Sequence, residues 1–145
     1  MTRKAFLVLA VSSLCGILTA PLGAETLSAV GRFDIPFPFA VNGQTMPAGE
    51  YKVKVRASDG LVEIESEAAH YRAVFSSSYP GENAVSDQAT LTFHRYGDEY
   101  FLARVALLGK CPTRRLGVSP AERETARAQL SHLQAVILRA LPGGR

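Results

Sequence analysis

Apolar and polar side chains alternate along much of residues 33–108, and this period of two restricts the fold more than any other feature. The clearest run covers residues 33–41, where phenylalanine, isoleucine and valine at odd positions alternate with aspartate, proline and alanine. A half-buried β-strand has this period because successive side chains point to opposite faces of a sheet. Since Pro36 and Pro38 cannot donate ladder hydrogen bonds, this run is predicted to be an edge strand or a bulged strand.

Further alternating or apolar runs follow, and turn residues separate them. The runs cover residues 51–56, 62–65, 71–75, 89–94 and 100–108. The pair Asp59-Gly60 predicts a tight type I′ hairpin between two of them, and Gly97-Asp98 predicts another turn. About six to eight strands at short spacing, with no helical period between them, are typical of a mainly β fold. We therefore expect an antiparallel sandwich or a small barrel.

The C-terminal segment, residues 111–145, has a different pattern. Ser119 and Glu122 form a capping-box signature, with proline at the first helical position. Apolar residues then recur at spacings of three and four, at Ala126, Leu130, Leu133, Ile137 and Leu141. The pattern predicts one amphipathic helix over residues 120–141. Its apolar stripe is interpreted as docking on the chain's own sheet, with a membrane surface or a protein partner as alternatives.

The N-terminus has the layout of a secretory signal peptide. Arg3 and Lys4 precede an apolar run over residues 5–20, and the small residue Ala24 comes before Glu25. We expect cleavage after Ala24, with an uncleaved membrane anchor as the alternative. The predicted organisation is a signal peptide over 1–24, a β domain over 25–110 and a basic C-terminal segment over 111–145. The exported chain is expected to be periplasmic or secreted, with no transmembrane segment once mature.

Charge is divided unevenly between the predicted β domain and the tail. Residues 25–109 hold 7 Lys and Arg against 11 Asp and Glu, whereas residues 110–145 hold 7 against 2. A basic tail can bind nucleic acid or an anionic surface, but export argues against nucleic acid. The partner expected at the C-terminal helix is therefore an envelope component or another protein.

Two stretches resemble a family of small exported bacterial β-rich proteins of unknown function. One is the strand-turn pattern PFxF followed by PAGxY, which reads Pro36 to Phe39 and Pro47 to Tyr51 here. The other is the hairpin FHRYGDxYFL, residues 93–102. The chain departs from the family at Ala106, where relatives tend to carry tryptophan. The resemblance implies an exported β-rich protein, and it carries over no activity and no catalytic residue.

The hairpin of residues 93–102 holds the strongest candidate polar site. His94, Arg95 and Asp98 surround one turn, where an imidazole, a guanidinium and a carboxylate could serve proton transfer and anion binding. The structural interpretation is that Asp98 stabilises the turn, Arg95 pairs with an acidic neighbour, and His94 lies on the solvent face. Cys111 is a candidate free thiol. The spacing of the histidines predicts no metal site, and no cofactor motif is present.

Two hypotheses for function follow from these patterns. The first is an exported, non-catalytic β domain that acts as a binding or envelope-associated module. The alternative is a small extracytoplasmic hydrolase, or another enzyme, with its site at the hairpin. The enzyme hypothesis requires His94 and Asp98 to converge with a further polar group in a cleft.

Overall fold

The computed structural model describes residues 27–56, 58–66, 68, 70–77, 79–80, 87–109, 113–129 and 133–142. The predicted signal segment and Cys111 lie outside these residues. The elements are β1 (Leu27–Ile35), β2 (Phe39–Val41), β3 (Gln44–Met46), β4 (Gly49–Arg56), β5 (Leu61–Ser66), β6 (Tyr71–Ser76), β7 (Tyr79–Pro80), β8 (Thr90–Tyr96), β9 (Glu99–Ala106), β10 (Arg114–Arg115), α1 (Pro120–Gln129) and β11 (Gln134–Arg139). No helix within the described ranges is both long enough and apolar enough to cross a bilayer.

The strands form two sheets that pack face to face. Sheet A has the order β1-β4-β5-β6 and is antiparallel throughout. Sheet B has the order β11-β8-β9-β10-β7, with β2 joined in parallel to β9 and β3 paired to β2. The predicted mainly β fold is confirmed, and the sandwich is the form adopted.

The core lies between the inner faces of the two sheets. Phe33 and Val53 of sheet A, and Leu91 and Phe93 of sheet B, are completely buried. The ring of Phe39 joins the layers, because its centre lies 5.3 Å from that of Tyr51 and 5.4 Å from that of Phe93. Alternation in the sequence thus becomes one apolar face per sheet, as sandwich packing requires.

The run over residues 33–41 divides between the two sheets. Its first part belongs to β1, the edge strand of sheet A, and its last part is β2 in sheet B. Pro36 and Pro38 lie in the segment that crosses from one sheet to the other. The edge position predicted for this run is confirmed for β1, and the prolines stand where no ladder bond is needed.

The prediction of a type I′ turn at Asp59-Gly60 is wrong. β4 ends at Arg56 and β5 begins at Leu61, so four residues connect these strands. Gly60 has a φ of 71°, but Asp59 is outside the left-handed region that type I′ requires at both central positions. The Asp59 carboxylate instead accepts a hydrogen bond of 3.1 Å from the Leu61 N–H. Short polar side chains favour such local bonds to the backbone, and these compete with the tighter turn.

The type I′ geometry occurs at Asn42-Gly43, between β2 and β3. These two residues have φ values of 48° and 80° and are the whole connection between the paired strands. Asparagine followed by glycine is the sequence that best tolerates positive φ at both positions.

The prediction of one helix over residues 120–141 is wrong in its second half. The helix is only α1, and the chain then enters β11, which pairs antiparallel with β8. Leu133 and Ile137 of the predicted stripe are 54% and 62% exposed, so the expected cover over that stripe is absent at these residues. Val136 and Leu138 pack against the core instead.

A physical reason for this correction is the open edge of sheet B. A short apolar run fits a strand as well as a helix, so its period does not decide between them. The edge of β8 offers backbone hydrogen bonds and an apolar layer to a strand. The end of β11 is tied to both sheets, because the Ala140 N–H donates to the Ala89 carbonyl at 2.9 Å and the Leu141 N–H to the Arg32 carbonyl at 2.8 Å.

Candidate functional site

The turn between β8 and β9 places the three predicted site residues. Gly97 and Asp98 connect the strands, and Gly97 has a φ of 58° while Asp98 is outside the left-handed region. A glycine at the first central position with this φ is the pattern of a type II′ turn. His94 and Arg95 therefore lie at the end of β8, and Asp98 projects from the tip.

Arg95 is engaged by local contacts around this turn. Its Nε donates a hydrogen bond of 2.7 Å to the Gly97 carbonyl, and its guanidinium lies 5.5 Å from the centre of the Tyr100 ring. The Tyr100 ring in turn stacks on Phe37 at 3.8 Å. Asp98 is fully exposed, and its Oδ1 lies 3.9 Å from Nη2 of Arg95. An exposed pair at this distance contributes little to stability, so Arg95 acts mainly through its backbone and ring contacts.

His94 contacts a residue of α1 rather than Asp98. Its Nδ1 lies 2.6 Å from Oε1 of Glu122, and Glu122 is only 3% exposed. The Tyr96 hydroxyl donates to the same oxygen at 3.4 Å. Burial, followed by the charge and hydrogen bond of Glu122, raises the pKa of Tyr96 above its ordinary value of 10.0. These three side chains, His94, Tyr96 and Glu122, form a polar cluster between α1 and the outer face of sheet B.

Two members of the polar cluster, Tyr96 and Glu122, were not among the site residues predicted from the sequence. For Glu122 a signal lay in the helix cap, because Ser119 and Glu122 hold the capping-box positions. The Ser119 hydroxyl accepts a hydrogen bond of 3.1 Å from the Glu122 N–H, as a helix cap does. The Glu122 carboxylate, however, extends to the sheet. A capping box predicts where a helix begins and does not reveal which strand lies beneath it.

Two surface cavities lie next to the polar cluster. A cavity of about 120 Å³ has Glu122, Ser119 and Phe101 in its wall. A second cavity of about 260 Å³ has Asp98 and Phe101 in its wall. His94 is not among the described residues that line them. The structure therefore does not bring His94 and Asp98 together, and the convergence that the hydrolase hypothesis requires is not found at this hairpin.

The histidines are also apart where the structure describes them. His70 lies in the turn between β5 and β6 of sheet A, whereas His94 is on sheet B. In the described part of the chain, no three His, Cys, Asp or Glu side chains form a group that could hold a metal ion.

A second candidate surface is the outer face of sheet B, which we call the arginine face. Arg104 and Arg115 are direct partners on β9 and β10, and Arg104 is also paired with Thr92 of β8. Thr92 is paired in turn with Ile137 of β11. The adjacent row of register partners, Leu91, Val105 and Arg114, is buried, so the row of Thr92, Arg104 and Arg115 points outward. The exposed Arg139 of β11 extends the face, because it lies two residues from Ile137 along the same strand.

No family model, curated protein or solved structure matches the chain. The resemblance carried by the PFxF…PAGxY and FHRYGDxYFL patterns therefore stays a prediction.

Proposed function

We propose that the chain is an exported, non-catalytic binding module that holds to the cell envelope through its arginine face. The observation that carries this proposal is the row of arginines on sheet B. Across the part of the chain that is described, no carboxylate lies within 4.0 Å of a side-chain nitrogen of Arg104, Arg115 or Arg139. The partner that fits this face is the anionic surface of a lipid bilayer.

Like charges face each other on this surface. Arg104 and Arg115 are directly opposite on neighbouring strands, an arrangement that destabilises a sheet on its own. An anionic surface offsets that repulsion, because each Lys or Arg near such a surface contributes roughly 1 kcal/mol of attraction. Glu122, the acidic residue of the polar cluster, is buried and in contact with His94 rather than with these arginines.

Apolar side chains accompany the arginines. Ile137 projects from the same row at 62% exposed, and Leu133 precedes β11 at 54% exposed. A surface that combines cations with exposed aliphatic side chains is suited to the headgroup and acyl boundary of a membrane, where both kinds of contact form. A purely ionic partner would leave Ile137 in water, so a lipid surface accounts for more of this face.

The non-catalytic part of the proposal is supported by the state of the candidate hairpin. Glu122 engages His94, backbone and ring contacts engage Arg95, and Asp98 projects into solvent. The contacts of His94 and Arg95 are structural, and the exposed Asp98 converges with neither of them on a shared cleft.

One protein sample tests both export and membrane binding. The protein is expressed in a bacterial host with its N-terminal segment intact. Mass spectrometry of protein recovered outside the cytoplasm should show Glu25 as the first residue. That protein should bind vesicles of phosphatidylcholine with phosphatidylglycerol, and should bind pure phosphatidylcholine weakly. Added salt should weaken the binding because it screens exposed charges.

A matched pair of double variants separates the arginine face from net charge. Arg115→Gln with Arg139→Gln should weaken vesicle binding roughly tenfold or more. Arg32→Gln with Arg72→Gln removes the same charge from exposed positions on sheet A and should leave it nearly unchanged. Equal losses in the two double variants would show that net charge alone acts, and no binding to anionic vesicles would exclude the proposed partner.

A further inference from the structure

A cavity of about 380 Å³ opens on sheet A, on the opposite side of the sandwich from the arginine face. The described residues that line it are Arg32, Glu50, Tyr51, Lys52, Glu65 and Ala68. Four of these six carry a charge, and both signs are present. A surface cavity with cations and carboxylates in one wall is a candidate site for a small ligand that itself carries both charges.

The charges around this cavity are arranged in two rows of opposite sign. Arg32 of β1 is the direct register partner of Lys52 of β4, and Asp34 is the direct partner of Glu50. These residues alternate with the buried Phe33 and Tyr51, so all four point to the outer face. A basic row therefore lies beside an acidic row, two residues apart along each strand.

Neither row forms a close ion pair within the described residues. No ion pair shorter than 4.0 Å joins Arg32 or Lys52 to a carboxylate there, or Asp34 or Glu50 to a cation. Direct opposition of like charges destabilises an antiparallel pair. The strand pair β1–β4 thus carries two unfavourable oppositions side by side at the cavity.

The rest of the same face shows that such oppositions are not a general property of sheet A. Lys54 lies 3.1 Å from Glu65 and 3.7 Å from Glu63, and Arg72 lies 2.7 Å from Glu63. The hydrogen bond from Lys54 is the main cause that lowers the pKa of Glu65, and the charge of Lys52 is the smallest of the causes. Lys52 is itself the direct register partner of Glu65, but no ion pair shorter than 4.0 Å joins the two within the described residues. The close contacts of the β5 carboxylates are with Lys54 and Arg72, so Lys52 can still contact a ligand.

We infer that this cavity binds a short peptide with free termini, its carboxylate on Arg32 and Lys52 and its ammonium on Glu50. The spacing supports a dipeptide. Two residues along a strand span about 7 Å, which is the distance between the basic and acidic rows. A dipeptide in extended conformation has nearly the same length, because its backbone has the same rise per residue. The inference is independent of the proposed membrane binding, since it concerns the opposite sheet.

The test uses the zwitterionic dipeptide L-alanyl-L-alanine and two blocked forms of it. One form is N-acetylated and lacks the ammonium, and the other is a C-terminal amide and lacks the carboxylate. Titration of the ¹⁵N-labelled protein, followed by NMR, should show shifts confined to β1 and β4. The free dipeptide should bind more tightly than either blocked form. Lys52→Gln and Glu50→Gln should each weaken its binding roughly tenfold, as expected for loss of a charged hydrogen-bonding partner.

Binding of the two blocked dipeptides shows which protein side chain contacts each end of the ligand. The amide should bind Lys52→Gln and the unmodified protein equally, because it has no carboxylate for Lys52 to contact. The acetylated form should likewise be insensitive to Glu50→Gln. Arg115→Gln, on the arginine face, should leave dipeptide binding unchanged. If the acetylated form binds as tightly as the free dipeptide, or if no shifts occur at β1 and β4, the inference is wrong.

Thermal unfolding separates a binding role from a structural one. Lys52→Gln relieves the opposition to Arg32 but also removes the favourable charge opposite Glu65, so the melting temperature of the variant should stay close to that of the unmodified protein. A fall in melting temperature together with weaker binding would show that Lys52 supports the fold instead. The vesicle assay of the proposed function should not respond to Lys52→Gln beyond the effect of one charge, so the two proposals can fail separately.

Discussion

Single side chains on the β8–β9 hairpin have roles that follow from what covers them. The sequence interpretation placed His94 on the solvent face, yet its side chain is only 28% exposed because α1 lies over it. Its contact with Glu122 satisfies a carboxylate that is almost completely buried. A buried carboxylate without partners is costly, so the polar cluster helps to hold α1 on the sheet.

His94→Ala should therefore lower the free energy of unfolding by about 1–3 kcal/mol, because it leaves the buried Glu122 with one partner fewer. Asp98→Ala is the matched control on the same hairpin. Since Asp98 is fully exposed, that change should stay within roughly 0.5 kcal/mol. Urea unfolding of the two variants makes the comparison, and equal stabilities would show that the His94–Glu122 contact contributes nothing.

The secondary structure of the C-terminal segment was harder to predict from the sequence than that of earlier strands such as β4 and β5. Apolar and polar residues alternate over residues 51–56 of β4 and 62–65 of β5, and burial alternates with them. The run from Ala135 to Leu138 is continuously apolar, and a helix and a strand assign different members of it to the core. In a helical stripe Ile137 faces inward, whereas in β11 its neighbours Val136 and Leu138 do. Pairing with β8 therefore selects the strand over the helix for these residues.

Adjacent substitutions distinguish the strand from the helix. Val136→Asp should destabilise the protein strongly, because it brings a charge to a side chain that packs against the core. Ile137→Asp should change the stability little, because Ile137 is 62% exposed on the outer face. Thermal melting of both variants measures the difference. The reverse order of stabilities would support a helix over residues 120–141.

The molecule as a whole combines groups whose pKa values shift in both directions. Burial is the main cause that raises the pKa of Tyr51 and of Tyr96 above 10.0, and the hydrogen bond to Glu65 raises that of Lys54 above 10.5. Above those ordinary values the unfolded chain releases protons that the folded chain still holds. The free energy of unfolding therefore falls as pH rises through this range.

Carboxylates produce the opposite change in acid. A backbone hydrogen bond from Leu61 is the main cause that lowers the pKa of Asp59, and Lys54 lowers that of Glu65. Their contribution is present above the ordinary carboxylate range and is lost as pH falls below it. We expect a stability plateau from roughly pH 5 to pH 9, with losses on both sides.

Urea midpoints measured across pH should show this plateau, and Tyr51→Phe with Tyr96→Phe should flatten its alkaline side. The slope against pH is the quantity to compare, because Tyr51→Phe also removes a hydrogen bond of 2.6 Å to the Pro47 carbonyl. That bond contributes to the stability wherever the Tyr51 hydroxyl keeps its proton, well below the alkaline range as well as at its start. An unaltered alkaline slope would mean that other groups cause the loss.

The amino-acid sequence by itself determined the mainly β fold and the turn at Gly97-Asp98. These features depend on local physics: the alternation of apolar side chains and the tolerance of glycine for positive φ. Only the tertiary structure decided that His94 meets Glu122, that Ile137 faces outward, and that Arg32 opposes Lys52. Those pairings depend on which strands become neighbours and in which register, and a change of one residue in register would turn each of these side chains to the other face.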